Sequence, residues 1–159
     1  MIEKTVIFDF SNVELSDLVE SCKEDEMCHI VERYVSPEAK MLEAGSGSGR
    51  WVIFLDTIGY DVTGIEINKR DVCRLKAYYP EIKATCGDIT RLSYENDSFD
   101  SYLSFGVLEH LIDGPEIALS EAHRVLKENG VAIISVPLNN FLWGIERWYI
   151  DRFYYSILF

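Results

Sequence analysis

The sequence predicts an α/β fold, a doubly wound and mainly parallel sheet with helices on both faces. Three observations support this prediction. The chain has 159 residues and no linker-like change of composition, which fits one domain. Short apolar runs alternate with helical patterns between residues 37 and 137, as in parallel strands joined by crossover helices. Three alternating glycines, Gly45, Gly47 and Gly49, follow the first apolar run.

The domain divides into three parts: an N-terminal arm and helix over 1–36, the core over 37–137 and an aromatic segment over 138–159. Within the arm, residues 5–10 are β-branched and aromatic as in a strand, and residues 13–35 have a helical pattern. The arm is rich in acids, which we interpret as a solvated outer face. Pro37 ends the helix because proline disfavours helical angles in the residue before it.

The first strand and the glycine turn are the centre of the predicted fold. Residues 40–43 form a short apolar run that ends in Glu43, and the next helix extends from Arg50 to about Ile58. Glycine permits backbone angles that a side chain forbids, and it leaves no Cβ between the turn and a ligand. The helix directs its free N–H groups and positive dipole end at the same place. This turn therefore favours a ligand's carboxylate, phosphate or hydroxyl groups.

Two further strands, each ending near an acid, follow the first helix. Residues 60–67 form an apolar run with Glu66 near its end, and residues 82–88 form another that also ends in an acid. The helix between them begins after Asn68, a favourable N-cap, and ends at Pro80.

Residues 99–104 and 130–136 are the fourth and fifth predicted strands. A short helix over 107–111 follows the fourth strand, and a longer one begins at Pro115 and stops at Asn129. The fifth strand is continuously apolar, as expected of a strand covered by helices on both faces.

Polar or functional residues end four of the predicted strands, and the carboxyl ends of parallel strands share one edge of the sheet. They are Glu43, Glu66, Asp88 and the group Ser104, Phe105 and Gly106. An acid about twenty residues after a glycine turn is suited to bind both hydroxyls of a ribose, so Glu66 predicts an adenosine derivative as ligand. The alternative role for Glu66 is a cap for the helix after Asn68.

Six segments resemble the class I S-adenosylmethionine-dependent methyltransferases, specifically the small-molecule type with a Val-Leu-Glu-His-Leu segment. In chain order they are Leu-Glu-Ala-Gly-Ser-Gly-Ser-Gly, Gly-Ile-Glu-Ile, Gly-Asp-Ile, Asn-Asp-Ser-Phe-Asp, Val-Leu-Glu-His-Leu and Arg-Val-Leu-Lys-Glu-Asn-Gly. The resemblance implies a Rossmann-like sheet, S-adenosylmethionine as cofactor, S-adenosylhomocysteine as product and a small-molecule methyl acceptor.

The resemblance also implies three groups of cofactor-binding residues. The methionine part lies on the glycine turn, formed by Gly45, Ser46, Gly47 and Gly49, and Glu43 organises the site around it. The adenosine part is held by Glu66 at the ribose, by Ile67 and Ile89 on the faces of the adenine, and by Asp88 at its exocyclic amine. The methyl group is bordered, mainly through backbone atoms, by Ser104, Phe105 and Gly106.

His110, followed by Glu109, is the candidate general base for a hydroxyl or phenol acceptor, because histidine changes its charge near neutral pH. The alternative is that both residues pack and form hydrogen bonds beneath the pocket, since their segment recurs in this type of enzyme whatever the substrate.

A dinucleotide-dependent dehydrogenase is the main rival, because it shares the strand, the glycine turn and the ribose acid. Its glycine pattern is G-x-G-x-x-G, which would place the third glycine at position 50. Position 50 is Arg50 and the glycine is at 49, so the pattern favours the methyltransferase.

Charge and composition exclude several other classes. The net charge of −12 disfavours binding to nucleic acid or an anionic membrane. No apolar segment is long enough to span a bilayer and no signal peptide is evident, so we expect a cytoplasmic protein. The four cysteines lack the spacing of a metal site, so we predict no metal and reduced thiols.

The sequence after Pro137 departs from the family. The resembling enzymes end their sheet with an antiparallel pair of strands, and these last two strands are missing from the predicted elements. We expect the aromatic segment to form a helix, either as a cap or as the remainder of a truncated region, and to support a homo-oligomer. Two hypotheses follow: an active methyltransferase, or a cofactor-binding domain that is inactive or depends on a partner.

Overall fold

A computed structural model of the chain describes residues 14–137 and the backbone of residues 155–157. The helices in this part are α1 (Leu15–Ser21), α2 (Glu26–Tyr34), α3 (Arg50–Thr57), α4 (Lys69–Tyr78) and α5 (Glu116–Val125). The strands are β1 (Lys40–Ala44), β2 (Asp61–Glu66), β3 (Ala84–Cys86), β4 (Phe99–Phe105), β5 (Leu126–Ser135) and β6 (Tyr155–Ile157).

The six strands form one sheet in the order β3-β2-β1-β4-β5-β6. The first five are parallel, and β6 pairs with β5 in the antiparallel direction. The connections run outward from β1 to β2 and β3 on one side and from β4 to β5 on the other. The strand order therefore reverses between β1 and β4, where ligands bind in open sheets of this kind. The predicted Rossmann-like, mainly parallel sheet is confirmed.

Two clusters of buried apolar side chains cover the two faces of the sheet. Alternation along β1 sends Met41 into one cluster and Leu42 into the other. The first cluster includes residues of α2, α3 and α4, and the second includes the apolar face of α5. Helices therefore pack on both faces, as the sequence predicted.

The ends of two helices follow local sequence signals. The side chain of Asn68 accepts a hydrogen bond from Arg70 N at 3.0 Å, which confirms it as the N-cap of α4. The side chain of Asp25 accepts from Met27 N at 3.0 Å and starts α2 in the same way. This cap divides the helix predicted over 13–35, which is instead α1, a 3₁₀ turn at Cys22–Glu24 and α2.

The boundary between α5 and β5 also differs from the prediction. The helix ends at Val125 rather than at Asn129, and the strand begins at Leu126. The sequence motif Asn129-Gly130 lies instead at an irregularity within β5, where Asn129 has a φ of 64° and the pairing with β4 shifts register. β3 is shorter than predicted, with three residues.

The segment predicted to be helical over 138–159 contains a strand where it is described. Tyr155 lies opposite Ser135 and Ile157 lies opposite Ile133, so the segment extends the sheet at the β5 edge. Within the described residues, one antiparallel strand therefore follows β5, where none was predicted. The predicted arm strand over 5–10 and the rest of the aromatic segment lie outside the described residues.

Candidate functional site

The glycine turn between β1 and α3 has the left-handed backbone angles that its glycines permit. The φ angles of Gly45, Gly47 and Gly49 are 81°, 53° and 83°. A Cβ on Gly45 would lie 2.6 Å from the side chain of Val107, and one on Gly49 would lie 2.5 Å from that of Leu75. Substitution at either position therefore meets both strain and a clash.

Glu66, at the end of β2, holds the turn in place. Its Oε2 accepts a hydrogen bond from Gly47 N at 2.8 Å, and its Oε1 accepts one from Asn68 N, also at 2.8 Å. The carboxylate thus joins the glycine turn to the start of α4. Each carboxylate oxygen can accept a second hydrogen bond, so these contacts leave capacity for the two hydroxyls of a ribose. Glu66 therefore has a structural role that is compatible with the ligand role, but the cap of α4 is the side chain of Asn68 and not that of Glu66.

Glu43, near the end of β1, is a buried carboxyl group with an unpaired oxygen. Its side chain is almost wholly buried, and its Oε2 has no hydrogen-bond partner among the described residues. Burial raises the pKa of Glu43 to about 8, the Arg50 guanidinium opposes this shift, and Glu66 adds to it. The free protein therefore holds Glu43 mainly protonated at neutral pH.

Arg50, which sequence reasoning gave no site role, connects the glycine turn to the N-terminal helices. Its Nη2 lies 3.8 Å from Asp25 Oδ2, and its Nη1 donates to Ser21 Oγ at 3.5 Å. No sequence signal pairs these residues, because the contact joins separate elements.

The residues predicted around the adenine lie at the ends of β2 and β3. Ile67 is 42% exposed and offers an open apolar surface, whereas Ile89 is buried in the core beside Leu92. Asp88 is exposed, and its Oδ1 accepts hydrogen bonds from the N and Oγ1 of Thr90 at 2.8 and 2.7 Å. Its Oδ2 has no partner in the part of the chain that the structure describes. Ile67 and Asp88 are therefore accessible to a ligand, whereas little of Ile89 is.

The end of β4 presents backbone rather than side-chain groups. Ser104 Oγ is buried and donates to Ala44 O at 3.2 Å, which fixes β4 to β1. Gly106 has a φ of 66°, and its N–H donates to Ser135 O at 3.0 Å. The ring of Phe105 packs against Trp51, with 5.2 Å between centroids.

Glu109 and His110 lie together in a 3₁₀ turn, Leu108–His110, that follows β4. Their side chains are partly exposed, and Glu109 Oε1 lies 3.8 Å from His110 Nε2. Glu109 Oε1 also lies 3.6 Å from the position of a Cβ on Gly106. The two candidate bases therefore stand next to the β4 end of the rim.

Among residues 14–137, no group of three or more His, Cys, Asp or Glu side chains is arranged to hold a metal ion. All four cysteines are free thiols, and burial raises the pKa of Cys22 to about 12. No helix in the same part of the chain has the length and apolar character needed to cross a membrane.

These features define a class of protein: an α/β domain that binds a nucleotide-like cofactor at the switch point of its sheet. The family model described as "Methyltransferase domain" matches residues 42–134, more than half of the chain. The chain belongs to this family, the class I S-adenosylmethionine-dependent methyltransferases. Its cofactor is accordingly S-adenosylmethionine, with S-adenosylhomocysteine as the product of methyl transfer.

Individual relatives agree with this assignment. A protein of Mycolicibacterium smegmatis named "Probable S-adenosylmethionine-dependent methyltransferase" is 32% identical over 97 residues, 61% of this chain and 37% of that protein. The 2-methyl-6-phytyl-1,4-hydroquinone methyltransferase 1 of Oryza sativa subsp. japonica is 28% identical over 116 residues, 70% of this chain and 34% of that protein. The chain thus spans about a third of the length of these curated relatives.

Solved structures show the same fold. The PH0226 protein from Pyrococcus horikoshii OT3 has a TM-score of 0.68 and 20% identity, with 91% of this chain and 68% of that chain covered. A SAM-dependent methyltransferase from Methanosarcina mazei has a TM-score of 0.67 and 23% identity, with 74% of this chain and 60% of that chain covered. At these identities the two structures support the fold alone.

Proposed function

We propose that this chain transfers a methyl group from S-adenosylmethionine to a small-molecule acceptor. The observation that supports this most strongly is the meeting of Glu43, Glu66 and the glycine turn at the switch point between β1 and β4. When bound, S-adenosylmethionine supplies a methyl group already activated on a sulfonium.

The residues around the switch point fit this cofactor. The unpaired buried oxygen of Glu43 favours a positively charged or hydrogen-bond-donating group beside the glycine turn. Glu66 retains acceptor capacity for the ribose hydroxyls, and Asp88 Oδ2 is open to the exocyclic amine. Ile67 offers an exposed apolar surface for the adenine, with Ile89 contributing from the core.

The chain's contribution to the reaction is mainly alignment. Holding two reactants in a productive geometry supplies several kcal/mol of barrier reduction, about 7 to 11 kcal/mol in the best intramolecular cases. The backbone at Ser104, Phe105 and Gly106 would border the transferred methyl group. His110, held near Glu109, would accept the proton of a hydroxyl or phenol acceptor.

Some relatives are named for small methyl acceptors and others for protein acceptors. The Oryza sativa relative is named for a hydroquinone, and a Mus musculus relative, 27% identical over 111 residues, is named "eEF1A lysine and N-terminal methyltransferase". We favour a small acceptor because the Val-Leu-Glu-His-Leu segment resembles the small-molecule type. We also expect a cytoplasmic protein that binds neither nucleic acid nor metal and that associates through its aromatic segment.

The second candidate is a cofactor-binding domain that is inactive or requires a partner. Incubation with methyl-labelled S-adenosylmethionine and panels of phenols, amines, sugars, lipids and lysine peptides separates the two. Turnover of a small molecule by this chain alone supports the proposal, and labelling of peptides alone overturns the small acceptor. Cofactor binding without turnover in any panel favours the inactive domain.

A further inference from the structure

Arg124 on α5 uses every N–H group of its guanidinium. Nε donates to Glu121 Oε1 at 2.7 Å, and Nη2 donates to Glu121 Oε2 at 2.8 Å. The remaining bonds are from Nη2 to Leu92 O at 3.0 Å and from Nη1 to Tyr94 O at 2.8 Å and Asn96 Oδ1 at 3.1 Å. A guanidinium carries five N–H donors in one rigid plane, so all of them are occupied.

The partners outside α5 all lie in the segment that joins β3 to β4. Glu121 Oε2 also accepts a hydrogen bond from Leu92 N at 2.7 Å, so the pair binds both backbone polar groups of Leu92. The hydrogen bond from Arg124 holds the pKa of Glu121 below its usual value, which keeps the pair ionised at neutral pH. An ion pair on one helix thus fixes the path of a loop distant in sequence.

Leu92 is linked to Asp88 by one short turn. Leu92 follows Asp88 by four residues, and the turn between them is closed by hydrogen bonds from Thr90 N and Arg91 N to Asp88 Oδ1 and O. Ile89 and Leu92 are buried in the same apolar cluster. A displacement of Leu92 would therefore be passed through this short, internally bonded turn to the Asp88 carboxylate.

We propose that the Glu121–Arg124 pair is a positioning device that sets the selectivity of the cofactor site for adenine by holding the loop of Asp88. This role depends on the proposed function, in which Asp88 accepts a hydrogen bond from the exocyclic amine. Neither Glu121 nor Arg124 contacts the cofactor in this scheme, because both act through the backbone of Leu92 and Tyr94.

Calorimetric titration with S-adenosylhomocysteine and S-inosylhomocysteine tests this role, since the second ligand has an oxygen in place of the exocyclic amine. The unaltered chain should bind S-adenosylhomocysteine roughly tenfold to a hundredfold more tightly, the equivalent of one hydrogen bond to a charged acceptor. In Arg124→Lys, which cannot reproduce the planar set of five bonds, this preference should fall below about threefold.

Val125→Ala is the matched control, because Val125 is a buried residue on the same helix whose side chain belongs to the core. It should lower the melting temperature and leave the preference for adenine unchanged. Glu121→Gln is the second variant. The amide oxygen of the glutamine can still accept a hydrogen bond from Leu92 N, whereas its NH₂ group faces the N–H donors of the Arg124 guanidinium and cannot accept from them. It should reduce the preference in the same direction, and it decides the question if Arg124→Lys does not fold.

The outcomes separate this inference from the proposed function. Lost preference in the pair variants with retained preference in Val125→Ala supports it. Unchanged preference in folded Arg124→Lys or Glu121→Gln overturns it. If the unaltered chain binds both ligands equally, neither Asp88 nor the Glu121–Arg124 pair sets a preference for adenine, although cofactor binding is still supported. If it binds neither ligand, the proposed function fails as well.

Discussion

Glu43→Gln should make the stability of this protein less dependent on pH. Burial raises the pKa of Glu43 from 4.5 to about 8, so the folded protein keeps a proton that the unfolded chain loses. The unfolded state then binds fewer protons, and the free energy of unfolding falls as the pH rises between these two values. The full shift corresponds to about 5 kcal/mol, of which about 3 kcal/mol falls between pH 5 and pH 8. A glutamine has nearly the same shape and does not titrate.

The assay is urea denaturation of both proteins from pH 5 to pH 8, with Glu95→Gln as the control for an exposed carboxylate. We expect the Glu43→Gln curve to lie progressively above that of the unaltered chain as the pH rises. We also expect weaker binding of S-adenosylhomocysteine, because the amide cannot ionise to pair with a positively charged ligand group beside the glycine turn. Parallel stability curves for the two proteins would show that Glu43 does not retain an extra proton in the folded state.

Three further predictions concern the turn, the ribose acid and the aromatic segment. Gly49→Ala should destabilise the protein by about 1 to 3 kcal/mol more than Gly59→Ala, because both glycines have positive φ but only Gly49 faces Leu75. Chemical denaturation measures this difference, and equal losses of unfolding free energy in the two variants would contradict the prediction. Glu66→Gln should lower the melting temperature, because the NH₂ group of the glutamine must face either Gly47 N or Asn68 N. It should also weaken S-adenosylhomocysteine binding at least about tenfold, and Glu81→Gln, at an exposed position, is the control. An unchanged affinity would rule out the ribose-binding role of Glu66. The aromatic segment should either support self-association or pack against the β5 side of the sheet, where β6 already pairs. A monomer in sedimentation, together with rapid hydrogen exchange across residues 143–159, would contradict this prediction.

The sequence predicts those parts of the fold whose signals are local. The glycine turn, the N-cap at Asn68 and the acid at the end of β2 depend on neighbouring residues, and all three are where the sequence placed them. The alternation of strands and helices likewise predicts the parallel sheet and the common rim of the site.

The remaining features depend on contacts between distant residues. α5 ends early because Asp97 N and Ser98 N donate hydrogen bonds to the carbonyl oxygens of Arg124 and Val125. These donors are distant in sequence, so no local pattern reveals this cap. The bond from Gly47 N to Glu66 and three of the five bonds of Arg124 also join separate elements. From the sequence alone, Glu66 could be either a ribose acceptor or a helix cap. Its remaining hydrogen-bond capacity can be judged only once its partners Gly47 N and Asn68 N are known.

The most direct test of the account is a calorimetric titration of the chain with S-adenosylhomocysteine and, separately, with NADH. The glycine spacing, the accessible Asp88 carboxylate and the spare acceptor capacity of Glu66 predict saturable binding of one S-adenosylhomocysteine per chain and no binding of NADH. Saturable binding of NADH, with no heat from S-adenosylhomocysteine, would contradict the account.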